Sequence, residues 1–337
     1  MGRRALVMSG GGARGAFEAG AAEYLIEHGK DFDVIAGVSV GALNAAMLGQ
    51  GKGVDGLKWQ AKALTDLWLG ITGNDDFYRN GLTRKVRALW DRTGIFDPSP
   101  TRTKLEECIS PEALAGSGRE VRIGAVELES GNYVVANQRT PNIREWILAS
   151  ASMPVAFPPV LLGSQHVADG GIRNITPLRE AFKALNDLAS GDQAGPADAD
   201  EIYVVLASPL TLPPPEHPIK NGIGVAGRAL EIMIDEVYRE DILYAIAINR
   251  SVRACAELEK KLAALNLPPD AIAYALKPFP YRPPDYRLVK MFGIAPPKAY
   301  MGYMDLSPAK IREALEAGRL SAQAPLDEKA LERLLQR

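Results

Sequence analysis

The stretch that most constrains this chain is Val34-Ile35-Ala36-Gly37-Val38-Ser39-Val40-Gly41-Ala42-Leu43-Asn44. A short β-rich run enters it, its centre reads G-x-S-x-G, and good helix formers follow at once. Strand, sharp turn and helix are the context in which such a serine becomes a nucleophile. The turn is too tight for a Cβ at Gly37 or Gly41, where it would strike the neighbouring strand or helix. Ser39 then stands at the head of a helix, where unpaired N–H groups and the positive end of the dipole can stabilise an anion. The window Val34 to Gly51 carries no charge and holds a G-x-x-x-G, the pattern of a membrane helix with a dimerisation face. Its glycines, with Ser39, Asn44 and Gln50, make it too polar and too easily broken for that.

Composition narrows the partners. A formal net charge of −2 supplies no general basic surface, so nucleic acid is not an expected partner. Only Cys108 and Cys255 are present, far apart in sequence, which argues against a disulfide framework or a cysteine zinc site and fits a reducing compartment. After Arg3 and Arg4 the apolar run reaches only Met8, shorter than a secretory signal needs, and Leu6 stands where myristoylation requires Ser or Thr.

In chain order, Arg4 to Ser9 reads as a buried strand running into Gly10-Gly11-Gly12-Ala13-Arg14-Gly15, and a helix follows from Ala16 to about His28. Two chemistries use such a unit. Gly10, Gly12 and Gly15 satisfy G-x-G-x-x-G, so a dinucleotide pyrophosphate could sit on the helix N-terminus. Alternatively, bare N–H groups of the loop form an oxyanion hole. An NAD(P)-binding oxidoreductase needs an acid at the end of the second strand to reach the ribose; here Asp31 and Asp33 precede that strand and Gly37-Val38-Ser39 ends it. The oxyanion role is therefore favoured.

Residues 57–118 mix Trp59, Leu64, Leu67, Trp68, Phe77, Tyr78 and Trp90 with many charges, and read as short helices and loops covering one end of a sheet. Core burial is the expectation for most of these aromatics, a lid or lipid-facing surface the alternative. Val121–Leu128 and Asn132–Asn137 flank Glu129-Ser130-Gly131 as a β-hairpin. A helix from Pro141 runs into Ala149-Ser150-Ala151-Ser152-Met153-Pro154, whose small residues permit close packing. Then come Val160-Leu161-Leu162, a turn, and Val167-Ala168-Asp169-Gly170-Gly171. Asp169, between a short strand and two glycines, is poised at a strand end, although a plain turn aspartate looks the same in isolation. Further on, the pattern predicts a helix from Pro177 to Leu188, a loop Gly191 to Asp200, a strand Ile202–Leu206 and an extended segment from Leu212-Pro213-Pro214-Pro215. It ends with a long helical region to Leu265, continuous or with one break, a last strand Ile272–Leu276, a helix begun by Ser307-Pro308 and a short final helix.

The glycine loop, the serine elbow and Asp169-Gly170-Gly171, in that order and with an Ala-Ser-rich helix ending in proline before the last, resemble the patatin-like phospholipase family. The resemblance covers Arg4 to about Leu178 well and the rest in outline. It implies a three-layer α/β/α sandwich with a mostly parallel central sheet, and a Ser–Asp dyad in place of a triad. Ser39 would be the nucleophile and Asp169 its general base, with Gly10, Gly11, Gly12 and Arg14 forming the oxyanion loop and Gly37 and Gly41 the elbow. Residues 1–310 would form the acyl hydrolase domain, with a helical and loop cover at about 55–118, and residues 311–337 a C-terminal helical tail. The implied substrate is a lipid carboxylic ester, without metal or cofactor. A cytoplasmic location, with transient contact at a membrane surface, accompanies it.

The physics agrees. A serine hydroxyl is a poor nucleophile until a base within reach takes its proton, and a carboxylate serves only when partly desolvated. Three histidines could complete a triad instead. His28 ends a helix, His217 lies among prolines, and His166 sits three residues before Asp169, where it could assist or replace it as in histidine-dependent acyltransferases with the same elbow. A protein that binds lipid at an intact-looking but inactive site is a further alternative.

Overall fold

Side-chain alternation along two strands divides the molecule into layers. In β1 (Arg4–Met8), Ala5 and Val7 point to one face and Leu6 and Met8 to the other, and all four are fully buried. A strand apolar on both faces requires cover on both. Leu6 and Met8 share one core with residues of α1 (Gly15–Glu27), α2 (Val40–Gly49), α3 (Gly53–Leu69) and the helix Pro308–Ser321. Ala5 and Val7 share another with the helices Leu178–Gly191, Gly222–Ala264 and Glu328–Leu335. The computed structural model describes residues 2–80, 94–191, 200–212, 214–215, 218–219, 222–282 and 286–336. Trp90, His217, Pro213 and the loop 192–199 lie outside the described residues.

The strands that follow β1 are β2 (Val34–Val38), β3 (Arg79–Asn80), β4 (Phe96–Asp97), β5 (Glu120–Glu127), β6 (Tyr133–Asn137), β7 (Val160–Leu162) and β8 (Gln165–Asp169). β9 (Glu201–Val205), β10 (Lys290–Ile294) and β11 (Leu326–Asp327) complete the set. The main sheet runs β11-β10-β9-β1-β2-β5-β8-β7, with β6 also on β5, and β3 and β4 pair apart from it. β10, β9, β1, β2 and β5 are mutually parallel. The expected three-layer α/β/α architecture with a mostly parallel sheet is therefore the architecture observed.

β5 is where the sheet changes character. β6 occupies one of its edges along Arg122–Val126. Because β2 pairs with Glu120–Gly124 and β8 with Ala125–Glu127, both must lie on the opposite edge. β2 runs parallel to β5 and ends at Val38 opposite Gly124; β8 runs antiparallel and ends at Asp169 opposite Ala125. Two strands thus arrive head-on along one edge, and the residue after Val38 is Ser39.

Two expectations change in the C-terminal part. Ile272–Leu276 is not a strand but part of the helix Pro269–Leu276, begun by Pro269 with Asp270 in its first turn, a helix-start pattern that outweighs a short apolar run. The strand in this part of the chain is β10, between β9 and β11, whose Gly293 is hard to read as strand; a Cβ on it would lie 2.4 Å from Leu331 Cδ2, so the glycine admits the last helix. The long helix Gly222–Ala264 is continuous.

The boundary expected at 310/311 falls inside the helix Pro308–Ser321, which packs on α1 by glycine contacts from each side. A Cβ at Gly20 would lie 2.0 Å from Leu315 O, and one at Gly318 would lie 2.0 Å from Phe17 O. The colliding atoms are backbone and cannot swing aside. Gly318→Ala is expected to lower stability by about 1–3 kcal/mol, measured by urea unfolding, whereas Gly116→Ala, whose Cβ would meet nothing within 4 Å, should shift it by no more than about 0.5 kcal/mol.

Candidate active site

Ser39 occupies a strained turn. Its φ of 57° and ψ of −128° lie outside the regions an L-residue prefers, at a cost of about 1–3 kcal/mol that surrounding structure must offset. Close packing does so. A Cβ on Gly37 would lie 2.1 Å from Gly41 O, and one on Gly41 would lie 2.3 Å from Met8 O. The turn is pressed between the end of β1 and the start of α2, as the sequence required. Ser39 donates its N–H to Ser150 Oγ at 3.0 Å, and Ser150 donates its hydroxyl to Gly124 O at 2.6 Å. The elbow is thereby tied to β5 through one buried hydroxyl.

Asp169 is wholly buried at the end of β8. Its N–H donates to Ser152 O at 3.0 Å, and its Oδ1 accepts the N–H of Gly171 at 2.8 Å. Gly170 lies against β5, where a Cβ would sit 2.6 Å from Gly124 O. Burial raises the carboxyl pKa from 3.8 to about 7, and interactions with the Ser39 hydroxyl and Gly171 N–H partly oppose the rise. The other oxygen, Oδ2, is buried without a well-formed hydrogen bond among the described residues. The Ser39 hydroxyl is the side-chain partner acting on this carboxyl, although no hydrogen bond of good geometry joins them. Apo dyads are commonly this loose.

The glycine loop lies beside this pair. A Cβ on Gly10 would come 3.0 Å from Ser39 Cβ and 2.9 Å from Ile175 Cγ1. Its members differ in what they can donate. Gly10 N–H donates to Ile175 O at 3.0 Å and Arg14 N–H to Gly11 O at 3.2 Å, so both are engaged. Arg14 turns its guanidinium away from the serine, donating to Met301 O and Ser208 Oγ at 2.9 Å each and stacking over Tyr303. Gly11 and Gly12 N–H have no acceptor among the described residues. Ala13 N–H donates to Tyr303 O at 2.8 Å, and a Cβ on Gly12 would lie 2.1 Å from that same oxygen. The helix start is therefore occupied by a carbonyl where a dinucleotide pyrophosphate would have to bind.

Ser39 opens into an apolar pocket lined by Leu43, Trp68, Phe77, Tyr78, Leu148, Phe157, Met304 and Leu306, with Gly12 and Ser152 also on its wall. The expected cover thus supplies one wall. Trp68 is buried, with Nε1 donating to Asn44 Oδ1, and Tyr78, Phe96 and Phe157 pack as a cluster of rings. Trp59, in contrast, is exposed.

No described histidine reaches the serine. Residues 165, 167 and 169 share one face of β8, so His166 points to the other, where Nδ1 and the backbone N–H meet the Glu129 carboxylate. His28 caps α1 against Tyr24 O. Among the described residues, no three His, Cys, Asp or Glu side chains converge on a metal position.

Two supporting residues escaped the sequence reading. Ser150 was legible only as a small residue suited to close packing, and its hydroxyl is what holds the elbow. Asp241, on the long helix, accepts the N–H groups of Ile175 and Thr176 at 2.9 and 2.8 Å and so fixes the carbonyl that holds Gly10. An acid directly before the apolar run Ile242–Ile246 is the trace it leaves in sequence.

Residues 6–182 match the family described as patatin-like phospholipase. No curated protein matches the chain. Among solved structures, VipD from Legionella pneumophila is similar at 12% identity and a TM-score of 0.41, covering 100% of this chain and 67% of that one. The ExoU–SpcU complex of Pseudomonas aeruginosa is similar at 18% identity and a TM-score of 0.28, covering 72% of this chain and 52% of that one. This chain thus spans about half the length of the latter, and at these scores neither likeness carries weight beside the family match.

Replacing Ser150 by Ala removes the acceptor of Ser39 N–H and the donor to Gly124 O together. Stability is expected to fall by about 2 kcal/mol or more, measured by denaturant unfolding, with loss of any ester turnover that depends on the elbow.

Proposed function

Since the chain belongs to the patatin-like phospholipase family, a family of lipid acyl hydrolases, we propose that it cleaves lipid carboxylic esters with Ser39 as nucleophile and Asp169 as general base. The observation that supports this reading is the head-on meeting of β2 and β8 on one edge of β5, which brings the strand end before Ser39 and the strand end at Asp169 to neighbouring positions, with Ser39 lining an apolar pocket. Ser39 Oγ attacks the ester carbonyl carbon while Asp169 takes its proton. Negative charge develops on the carbonyl oxygen, which Gly11 and Gly12 N–H are free to bind; a donor of this kind is worth about 3–4 kcal/mol in comparable sites. The C–O bond to the alcohol breaks, and Asp169 returns the proton to the leaving oxygen. Water then attacks the acyl-serine, giving its proton to Asp169, and collapse releases the acid as that proton returns to Ser39.

The apolar pocket suits an acyl chain, and phospholipid or lysophospholipid is the substrate class that fits both family and pocket. Among the described residues no helix is long and apolar enough to cross a membrane. A cytoplasmic enzyme meeting its lipid transiently at a surface is the setting we propose with this chemistry.

Fluorophosphonate should label the protein, and Ser39→Ala should abolish labelling and turnover; a mutant that is still labelled would reject Ser39. Along a series of aryl esters, kcat/KM is expected to rise by up to about fourfold per added CH₂, from about 0.8 kcal/mol for each one buried, until the pocket is full. A flat series would reject the pocket as an acyl site.

Asp169 must be ionised to act as base, and its pKa is raised to about 7. Turnover is therefore expected to climb with pH up to about 7 and level above it. The sign for stability is opposite. Because the folded state holds this proton more tightly than the unfolded chain, the contribution of Asp169 to folding declines as pH rises from 3.8 to about 7. Asp169→Asn should end turnover and remove that decline, by on the order of 3 kcal/mol between pH 5 and 8, read as a gain in Tm larger at pH 8 than at pH 5.

A further inference from the structure

Behind the glycine loop lies a buried carboxyl that the proposed chemistry does not use. Glu18, on α1, is wholly buried, as is Ser9, and Tyr238 on the long helix is nearly so. Glu18 Oε1 lies 3.1 Å from Ser9 Oγ, Ser9 Oγ lies 3.0 Å from the Tyr238 hydroxyl, and that hydroxyl donates to Gly10 O. The Ser208 hydroxyl also interacts with Tyr238, adding one contact and one hydrogen and so leaving the balance below unchanged, while the other contacts are made by N–H donors. Ala207 N–H donates to Ser9 Oγ at 2.9 Å, and Asn44 Nδ2 donates to Glu18 Oε2 at 3.1 Å.

Counting hydrogens decides the state of the carboxyl. Three oxygen-to-oxygen contacts in a row need three hydrogens, one in each. An ionised Glu18 leaves only the Ser9 and Tyr238 hydroxyl hydrogens, so one pair of buried oxygens would face each other with none between. A protonated Glu18 supplies the third. Glu18 then donates to Ser9, Ser9 to Tyr238, and Tyr238 to Gly10 O; Ser9 Oγ gives one bond and accepts two, its full capacity. Its contact of 3.4 Å to Gly10 O is too long to compete. Burial pushes the Glu18 carboxyl well above the usual carboxylate range, with Asn44 and Ser9 only partly opposing it, in agreement with the count.

The chain ends on a carbonyl that matters. Gly10 C=O and Gly11 N–H belong to one planar trans peptide and point in opposite directions. Anchoring the oxygen on Tyr238 turns Gly11 N–H away from Tyr238, and a hydrogen bond to the oxygen makes that N–H a stronger donor. We propose that Glu18, Ser9 and Tyr238 form a neutral hydrogen-bonded relay that positions and polarises the Gly10–Gly11 peptide, so that Gly11 N–H is presented to the oxyanion. The three are positioning residues, and the proposal rests on the acyl hydrolase reading above.

Steady-state turnover of an aryl ester by the full chain tests it, with Tm measured beside kcat and KM. Tyr238→Phe removes only the hydroxyl, and kcat is expected to fall about tenfold, the worth of one net hydrogen bond, with KM almost unchanged. Glu18→Ala should show a similar loss. Glu18→Gln, which can turn NH₂ toward Ser9 and oxygen toward Asn44, should restore kcat to within about threefold. A purely structural role would lower Tm while leaving kcat per folded molecule intact. Full kcat in Tyr238→Phe, or a Glu18→Gln protein as poor as Glu18→Ala, overturns the relay. Should Tyr238→Phe not fold, Ser9→Ala breaks the chain one link earlier and carries the same expectation. If the natural protein turns over no ester, or Ser39→Ala retains turnover, the functional proposal fails and the relay with it; turnover that needs Ser39 and ignores the relay variants sinks the relay alone.

Discussion

The arrangement depends on a carboxylate buried without a countercharge. Asp169 has no ion pair among the described residues, and what favours its charged form is one backbone N–H and the Ser39 hydroxyl. A nearby arginine or lysine would pull the pKa back toward its ordinary range and leave a base too weak to take a serine proton. Arg14 stands close in sequence to the loop beside the dyad, yet its guanidinium is turned onto Met301 O, Ser208 and the ring of Tyr303. Keeping that charge away is as much a part of the site as bringing Asp169 in. Asp169 itself has no exposed surface, so water does not solvate the carboxyl from outside.

Such a site needs a rigid frame, because both of its side chains stand on short turns. β5 provides it. Gly124 accepts the hydroxyl of Ser150, which holds the Ser39 amide, and the same carbonyl is the one that Gly170 approaches most closely. Ser152, two residues after Ser150, accepts the amide of Asp169. The end of the short helix Ile143–Ser150 and the turn after it therefore hold both Ser39 and Asp169 in place beside one strand. Strain at Ser39 persists because the strand before it, the helix after it and this hydroxyl all resist relaxation.

Legibility in the sequence followed the range of each interaction. Gly37 and Gly41 could be read because the collisions they avoid are dictated by the turn itself, and Asp169 because strand, acid and paired glycines are neighbours. The buried first strand was equally readable from the unbroken apolar run Ala5 to Met8, whereas the layer order came with the family resemblance. What was hidden is carried by partners far apart in the chain. Gly10 N–H is taken by Ile175 O, which Asp241 fixes from 66 residues beyond Ile175, and Tyr238 reaches the loop across 228 residues. Nothing near residue 10 in sequence says which of its neighbours keeps a free amide. Gly293 misled in the other direction, since its reason for being small is Leu331 on the last helix.

The family match ends at residue 182, but the site does not. Tyr303, Met304 and Leu306 line the pocket, Tyr303 O receives Ala13 N–H, and Tyr78 donates its hydroxyl to Met304 O. The glycine loop is thus closed from behind by Tyr238 and from above by the segment 301–306. Catalytic groups common to a family can then be held constant by β1, β2, β5 and β8, while the wall that an acyl chain touches is drawn from elsewhere in the sequence. In this chain the three motifs lie within the matched residues, whereas part of the apolar wall comes from beyond them.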